Sequence, residues 1–122
     1  MKPGALSETK IERFEALQAL KSLTSLCLRN TQITSSDLRC LATLPQLQTL
    51  ELTFVTVTDE GAKQIARIST LEELDLTGTG LTDAGLAEIT KLQRLRSVGL
   101  GWTKVTPRGV EDFKRAVPGC VP

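Results

Sequence analysis

The residues best suited to chemistry are four acids and a thiol. Glu51 and Asp75 stand 24 positions apart, with Glu72 and Glu73 just before Asp75. Two carboxylates held about 5 Å apart are the pair a retaining glycosidase uses. Such chemistry also needs a cleft that excludes water. Four short strands make an open shelf instead, so the same acids read better as a docking patch for a basic segment, or as a solvated surface. Cys27 has Arg29 two residues on, and a neighbouring cation favours a thiolate. A nucleophile also needs a positioned base, and the chain has no His and no Tyr. The inert-thiol reading is therefore the better one, and neither a cofactor nor a metal site is expected. Three cysteines, at 27, 40 and 120, show no paired spacing.

These side chains are positioned by a repeat. Rows of 24 residues begin at Leu23, Leu47, Leu71 and Leu95. Seven columns stay apolar in every row. In the third row they hold Leu71, Leu74, Leu76, Leu81, Leu86, Ile89 and Leu92. All 28 such positions are apolar, where a composition of 40% would supply about 11 by chance. Each row opens in alternation, which suits a short strand with one buried face. It closes with apolar residues at i, i+3 and i+6, one side of a helix. Thr34, Thr58, Thr82 and Thr106 are the expected N-caps, with Pro107 at a first helical position. Asp59 and Asp83 share that first position, where the helix dipole favours an acid. Asp37 lies three residues after Thr34, as in a capping box. Gly61, Gly85 and Gly109 recur in the first turns, which implies a close approach by the neighbouring unit.

The run Leu71-Glu72-Glu73-Leu74-Asp75-Leu76-Thr77-Gly78-Thr79-Gly80-Leu81-Thr82-Asp83-Ala84-Gly85-Leu86 resembles the 24-residue leucine-rich repeats common in bacterial proteins. It is also similar to the cysteine-containing repeats of F-box-type substrate receptors, although no F-box sequence precedes it. The resemblance covers residues 23 to about 116. It implies an α/β solenoid, a right-handed superhelix with parallel strands on the concave face and helices on the convex face. It also implies a non-catalytic scaffold for protein binding. The ninth column reads Thr31, Val55, Thr79 and Thr103, so the second row lacks the polar side chain that ties down the descending loop.

One domain is expected, with repeats at 23–46, 47–70, 71–94 and 95–118 and a short tail at 119–122. Residues 7–22 suit an N-terminal capping helix, the helix half of a repeat whose strand is missing. The tail is too short to cover the last repeat fully. Alternation turns Arg29, Glu51, Thr53, Glu73, Asp75, Thr77, Gly99 and Gly101 outward onto one ladder beside Cys27. Phe54 and Trp102 share the eighth column with Asn30 and Gly78. They are either anchors flanking a shallow slot at Gly78 or covers folded over their loops. Cys40 is expected to be exposed on its helix.

Charge is nearly balanced, 15 basic residues against 14 acidic, with no basic stripe for nucleic acid. No apolar run suits a membrane span or a secretion leader, so a cytoplasmic location is expected. The expected partner is another protein, with a basic segment as the charge complement of the acids. Self-association through the C-terminal edge is the alternative.

Overall fold

The computed structural model describes residues 5–6 and 21–122. Strands and short helices alternate: β1 (Ala5–Leu6), β2 (Ser25–Cys27), α1 (Ser35–Leu41), β3 (Thr49–Glu51), α2 (Asp59–Ile65), β4 (Glu73–Asp75), α3 (Asp83–Ile89), β5 (Ser97–Gly99) and α4 (Pro107–Ala116). The strands form one parallel sheet in chain order. From β2 onward the register advances by 24 residues per strand, Ser25 facing Thr49, Thr49 facing Glu73 and Glu73 facing Ser97. From β2 onward each connection returns through a helix, as parallel neighbours require.

All four threonines cap as expected. Thr34, Thr58, Thr82 and Thr106 have extended backbone and accept from Asp37, Gly61, Ala84 and Gly109 N–H respectively. Thr34 and Asp37 complete a reciprocal capping box, with bonds of 3.1 and 3.2 Å.

The strand leucines and the inner helix residues fill the space between sheet and helices. Of the 28 apolar positions only Leu100, Val105, Val110 and Ala116 escape full burial. All four belong to the last repeat, which has a repeat on one side only. A unit of a solenoid completes its core against its neighbours, so an end unit leaves part of its stripe open.

Both termini depart from the sequence reading. The first unit does have a strand: Ala5 pairs with Ser25 and Leu6 with Leu26. That offset is 20 residues, so a 24-residue frame passes over it. The capping helix expected over 7–22 lies outside the described residues, apart from Lys21 and Ser22, which form a turn. At the other end the tail folds back onto β5. Val121 bridges Ser97, its N–H donates to the Arg96 carbonyl (2.9 Å) and its carbonyl accepts from Val98 N–H (3.0 Å). Val117 and Cys120 are buried beneath it.

The second-row loop is held differently from the other three. Thr79 and Thr103 donate to the carbonyls of Leu76 and Leu100 (2.8 and 2.7 Å), and Thr31 to that of Arg29 (2.8 Å). Val55 instead buries its side chain, while its N–H bonds the Leu52 carbonyl at 3.2 Å. Apolar packing replaces the hydroxyl.

Candidate functional site

Two columns of outward residues run across the sheet. One holds Ser25, Thr49, Glu73 and Ser97; the other holds Cys27, Glu51, Asp75 and Gly99. Partners in a column sit one strand spacing apart, about 4.8 Å. Glu51 and Asp75 are therefore neighbours, as expected, but they are not equivalent. Asp75 turns toward the end of its own strand, where Oδ1 accepts from Thr77 N–H (2.9 Å) and Thr77 Oγ1 (2.5 Å). The carboxylate lies over Gly99, where a Cβ would come within 2.6 Å of it. Glycine at 99 thus makes room for Asp75 rather than leaving bare backbone.

Cys27 is half-buried. Burial pushes its thiol pKa up, and the Glu51 carboxylate raises it further, while Arg29 pulls weakly the other way. A thiol held protonated is a poor nucleophile. Cys40 is half-buried on α1, packed against the core, and not exposed as its column implied. Among the described residues no cluster of three or more His, Cys, Asp or Glu side chains could hold a metal ion.

The eighth column has a geometry that its residue types conceal. Asn30, Phe54, Gly78 and Trp102 all adopt left-handed backbone, with φ of 49°, 56°, 76° and 58°. Glycine and asparagine tolerate this region; a bulky aromatic there is under strain. Phe54 offsets the strain by contact. Its ring lies on Gly78, and a Cβ at position 78 would collide with Cδ1, Cε1 and Cγ of that ring. The slot expected at Gly78 between two anchors is therefore filled by Phe54, which remains 54% exposed. Trp102 is 85% exposed. Gly101, which precedes Trp102, lies over Thr77, whose Cγ2 is 3.7 Å from where a Gly101 Cβ would stand. Arg29 and Thr53 lie in the first and second repeats, so Arg29 is three strand spacings, roughly 14 Å, from the last repeat.

The helix side carries residues whose role the sequence reading missed. Asp59 accepts from the N–H (3.0 Å) and Oγ1 (2.6 Å) of Thr82, the N-cap of the following repeat. Asp83 does the same for Thr106 at 2.8 and 2.5 Å. These bonds hold both carboxyls below the usual aspartate range. Gly85 and Gly109 recur because a Cβ there would strike the Asp59 and Asp83 carboxylates. The close approach is real, but a side chain makes it. The signal was present in the sequence as Asp, Thr and Gly recurring together, with the acid one row earlier.

Comparison with known families and structures agrees with this geometry. The Leucine Rich repeat family model matches residues 44–66 and 67–89, two consecutive units. The chain has the fold of a leucine-rich-repeat solenoid, and two of its repeats match that family's model. The fold is similar to that of an LRR protein of Leptospira interrogans, at a TM-score of 0.66 and 21% identity over 92% of this chain. That match spans 28% of the Leptospira protein's length. It is also similar to the tropomodulin C-terminal domain of Caenorhabditis elegans, at a TM-score of 0.66 and 18% identity, covering 94% of this chain and 81% of that one. At these identities the likeness is one of fold. Comparison with curated proteins gives no match. Among the described residues of this leucine-rich-repeat chain, no helix is long and apolar enough to cross a membrane.

Proposed function

We propose that this leucine-rich-repeat chain is a non-catalytic module that docks another protein on its strand face, with Trp102 as the anchor at one end. The observation that carries the reading is Trp102, 85% exposed on left-handed backbone. Strained, exposed aromatic residues tend to mark functional surfaces, and tryptophan is among the side chains that dominate interface energy. Glu51, Glu73 and Asp75 give the middle of the face a negative potential suited to a basic segment, with Thr53, Thr77, Gly99 and Gly101 as the polar and small surroundings. Phe54 is half of an anchor, since its other half covers Gly78. Asp75 contributes charge more than hydrogen bonds, because Thr77 already occupies one of its oxygens.

Catalysis by the Glu51–Asp75 pair is disfavoured by the same commitment of Asp75 and by the openness of a face of short strands, where a glycosidase pair needs a cleft that excludes water. The test is titration of a labelled lysine-rich peptide, read by anisotropy of the label so that a Trp-free variant is measured in the same way. Binding that weakens in Trp102→Gly and in Glu51→Lys, with steep salt dependence, supports the reading. Blue-shifted, quencher-protected emission from the free monomer would overturn the anchor role.

A further inference from the structure

We propose that the groove between α3 and α4, on the helix side of the array, takes one lysine or arginine side chain of a partner protein. The acids of the strand face play no part in it, so the two readings can fail independently.

The groove lies within the array, between the third and fourth repeats, and has a volume of about 240 Å³. That is below the roughly 300–1,000 Å³ of small-molecule pockets, and it suits one long side chain. Alanine at two positions leaves the room. Ala87 stands in the column of Arg39, Lys63 and Glu111, and Ala116 in that of Leu44, Ile68 and Leu92. Both alanines are exposed, while Leu86 and Phe113, which also line the groove, are buried. The base is thus apolar, as the stem of a lysine or arginine requires.

Charge names the head group. Among the described residues the groove is lined by two acids, Asp83 and Asp112, and by no cation. The earlier seams show what is missing. Ala87 and Asp112 meet the groove from opposite helices. The 24-residue period puts Lys63 and Glu88 in the equivalent places of the seam before, and Arg39 and Gln64 in those of the first. Glu88 is held below the usual glutamate range chiefly by Lys91 of its own helix, at 2.8 Å, and further by Lys63 across the seam. Asp112 keeps the partner on its own helix, Arg115 at 3.3 Å, but Ala87 supplies no charge from across. Asp83 adds negative charge, with its hydrogen bonds already given to Thr106. Lys91 is taken up by Glu88, and Arg108 stands outside the lining. The Asp112–Arg115 pair is exposed on both sides, and such pairs hold weakly. Asp112 can therefore serve a second cation, as Glu88 does. A cation entering over Ala87 takes the place that Lys63 holds in the repeat before.

The probe is lysine blocked at both ends, Nα-acetyl-lysine methylamide, titrated into isotope-labelled protein and followed by amide chemical shifts. Saturable shifts are expected at the amides of Ala87, Asp112 and Phe113 at millimolar probe, as a ligand of so few atoms allows. Acetylating the side-chain amine keeps the stem and removes the charge, and should weaken binding by about tenfold or more. Ala87→Lys should weaken it as much, by supplying the cation from within. That change leaves the fold intact, because Ala87 is exposed and α1 and α2 carry Arg39 and Lys63 at the same place. Equal binding of the acetylated probe overturns the proposal, as does undiminished binding to Ala87→Lys or the absence of any saturable shift. Shifts confined to Glu51, Glu73 and Asp75 also overturn it, and would leave the strand-face reading standing.

Discussion

Replacing Trp102 by glycine, and separately by alanine, tests the left-handed backbone of the eighth column. Alanine is normally the more stable of the two, because glycine loses more freedom on folding, by roughly 0.5–1 kcal/mol. At φ 58° the order should reverse. An L side chain in this region costs about 1–2 kcal/mol, which glycine avoids. The indole contributes little in return. With 85% of it exposed, roughly 40 Å² is covered, worth about 1 kcal/mol at most. Trp102→Gly should therefore match the parent within about 1 kcal/mol, and Trp102→Ala should fall about 1 kcal/mol below Trp102→Gly. Urea unfolding followed by far-ultraviolet circular dichroism resolves that gap, provided the slopes agree. An alanine variant as stable as the glycine variant would mean that position 102 does not hold left-handed backbone. The strain argument for a functional Trp102 would go with it.

Gly78→Ala should cost about 2–3 kcal/mol, since it adds left-handed strain and drives a Cβ into the Phe54 ring; thermal unfolding checks this. Asp59→Ala should cost about 1–2 kcal/mol after discounting for solvent, and the penalty of Gly85→Ala should shrink in that background because the clash is gone. Asp59 and Asp83 are depressed below an unfolded value near 3.8, so their contribution is complete above that pH and lost as pH falls through the folded values. Urea midpoints between pH 5 and pH 2 should fall less steeply for Asp59→Asn/Asp83→Asn than for the parent. Among the thiols, Cys27 and Cys120 are pushed up by burial and should react slowly with a thiol reagent at pH 8, with half-exposed Cys40 labelled first in timed mass spectrometry.

The core was legible because burial on one face repeats a residue type at a fixed spacing, and 24 of its 28 positions are fully buried. The outward ladder followed from the same alternation. What escaped depends on geometry that a row cannot display. The eighth column changes type from Asn to Phe to Gly to Trp, so its common backbone is hidden behind unlike side chains. The bonds from Asp59 and Asp83 cross between rows, from the first turn of one helix to the cap of the next. β1 sits at a 20-residue offset, and the tail keeps the register while replacing leucines with Gly119 and Pro122.

The carboxylate bridges also set where the array comes apart. Stability in a stacked chain is close to a sum of unit terms and nearest-neighbour couplings. Asp59 strengthens the seam between the second and third repeats, and Asp83 the seam between the third and fourth. In the first repeat that column holds Ser35, and Gly61 across the seam faces Leu38 Cδ1 and Val57 Cγ1 instead of a carboxylate. The second to fourth repeats thus form one cooperative block, and the first is coupled to it by sheet and core alone. Hydrogen exchange at neutral pH should release α1 amides before those of α2 and α3. In acid the carboxylates lose their charge and the seams become alike, so the block dissolves as a whole rather than shedding its first unit.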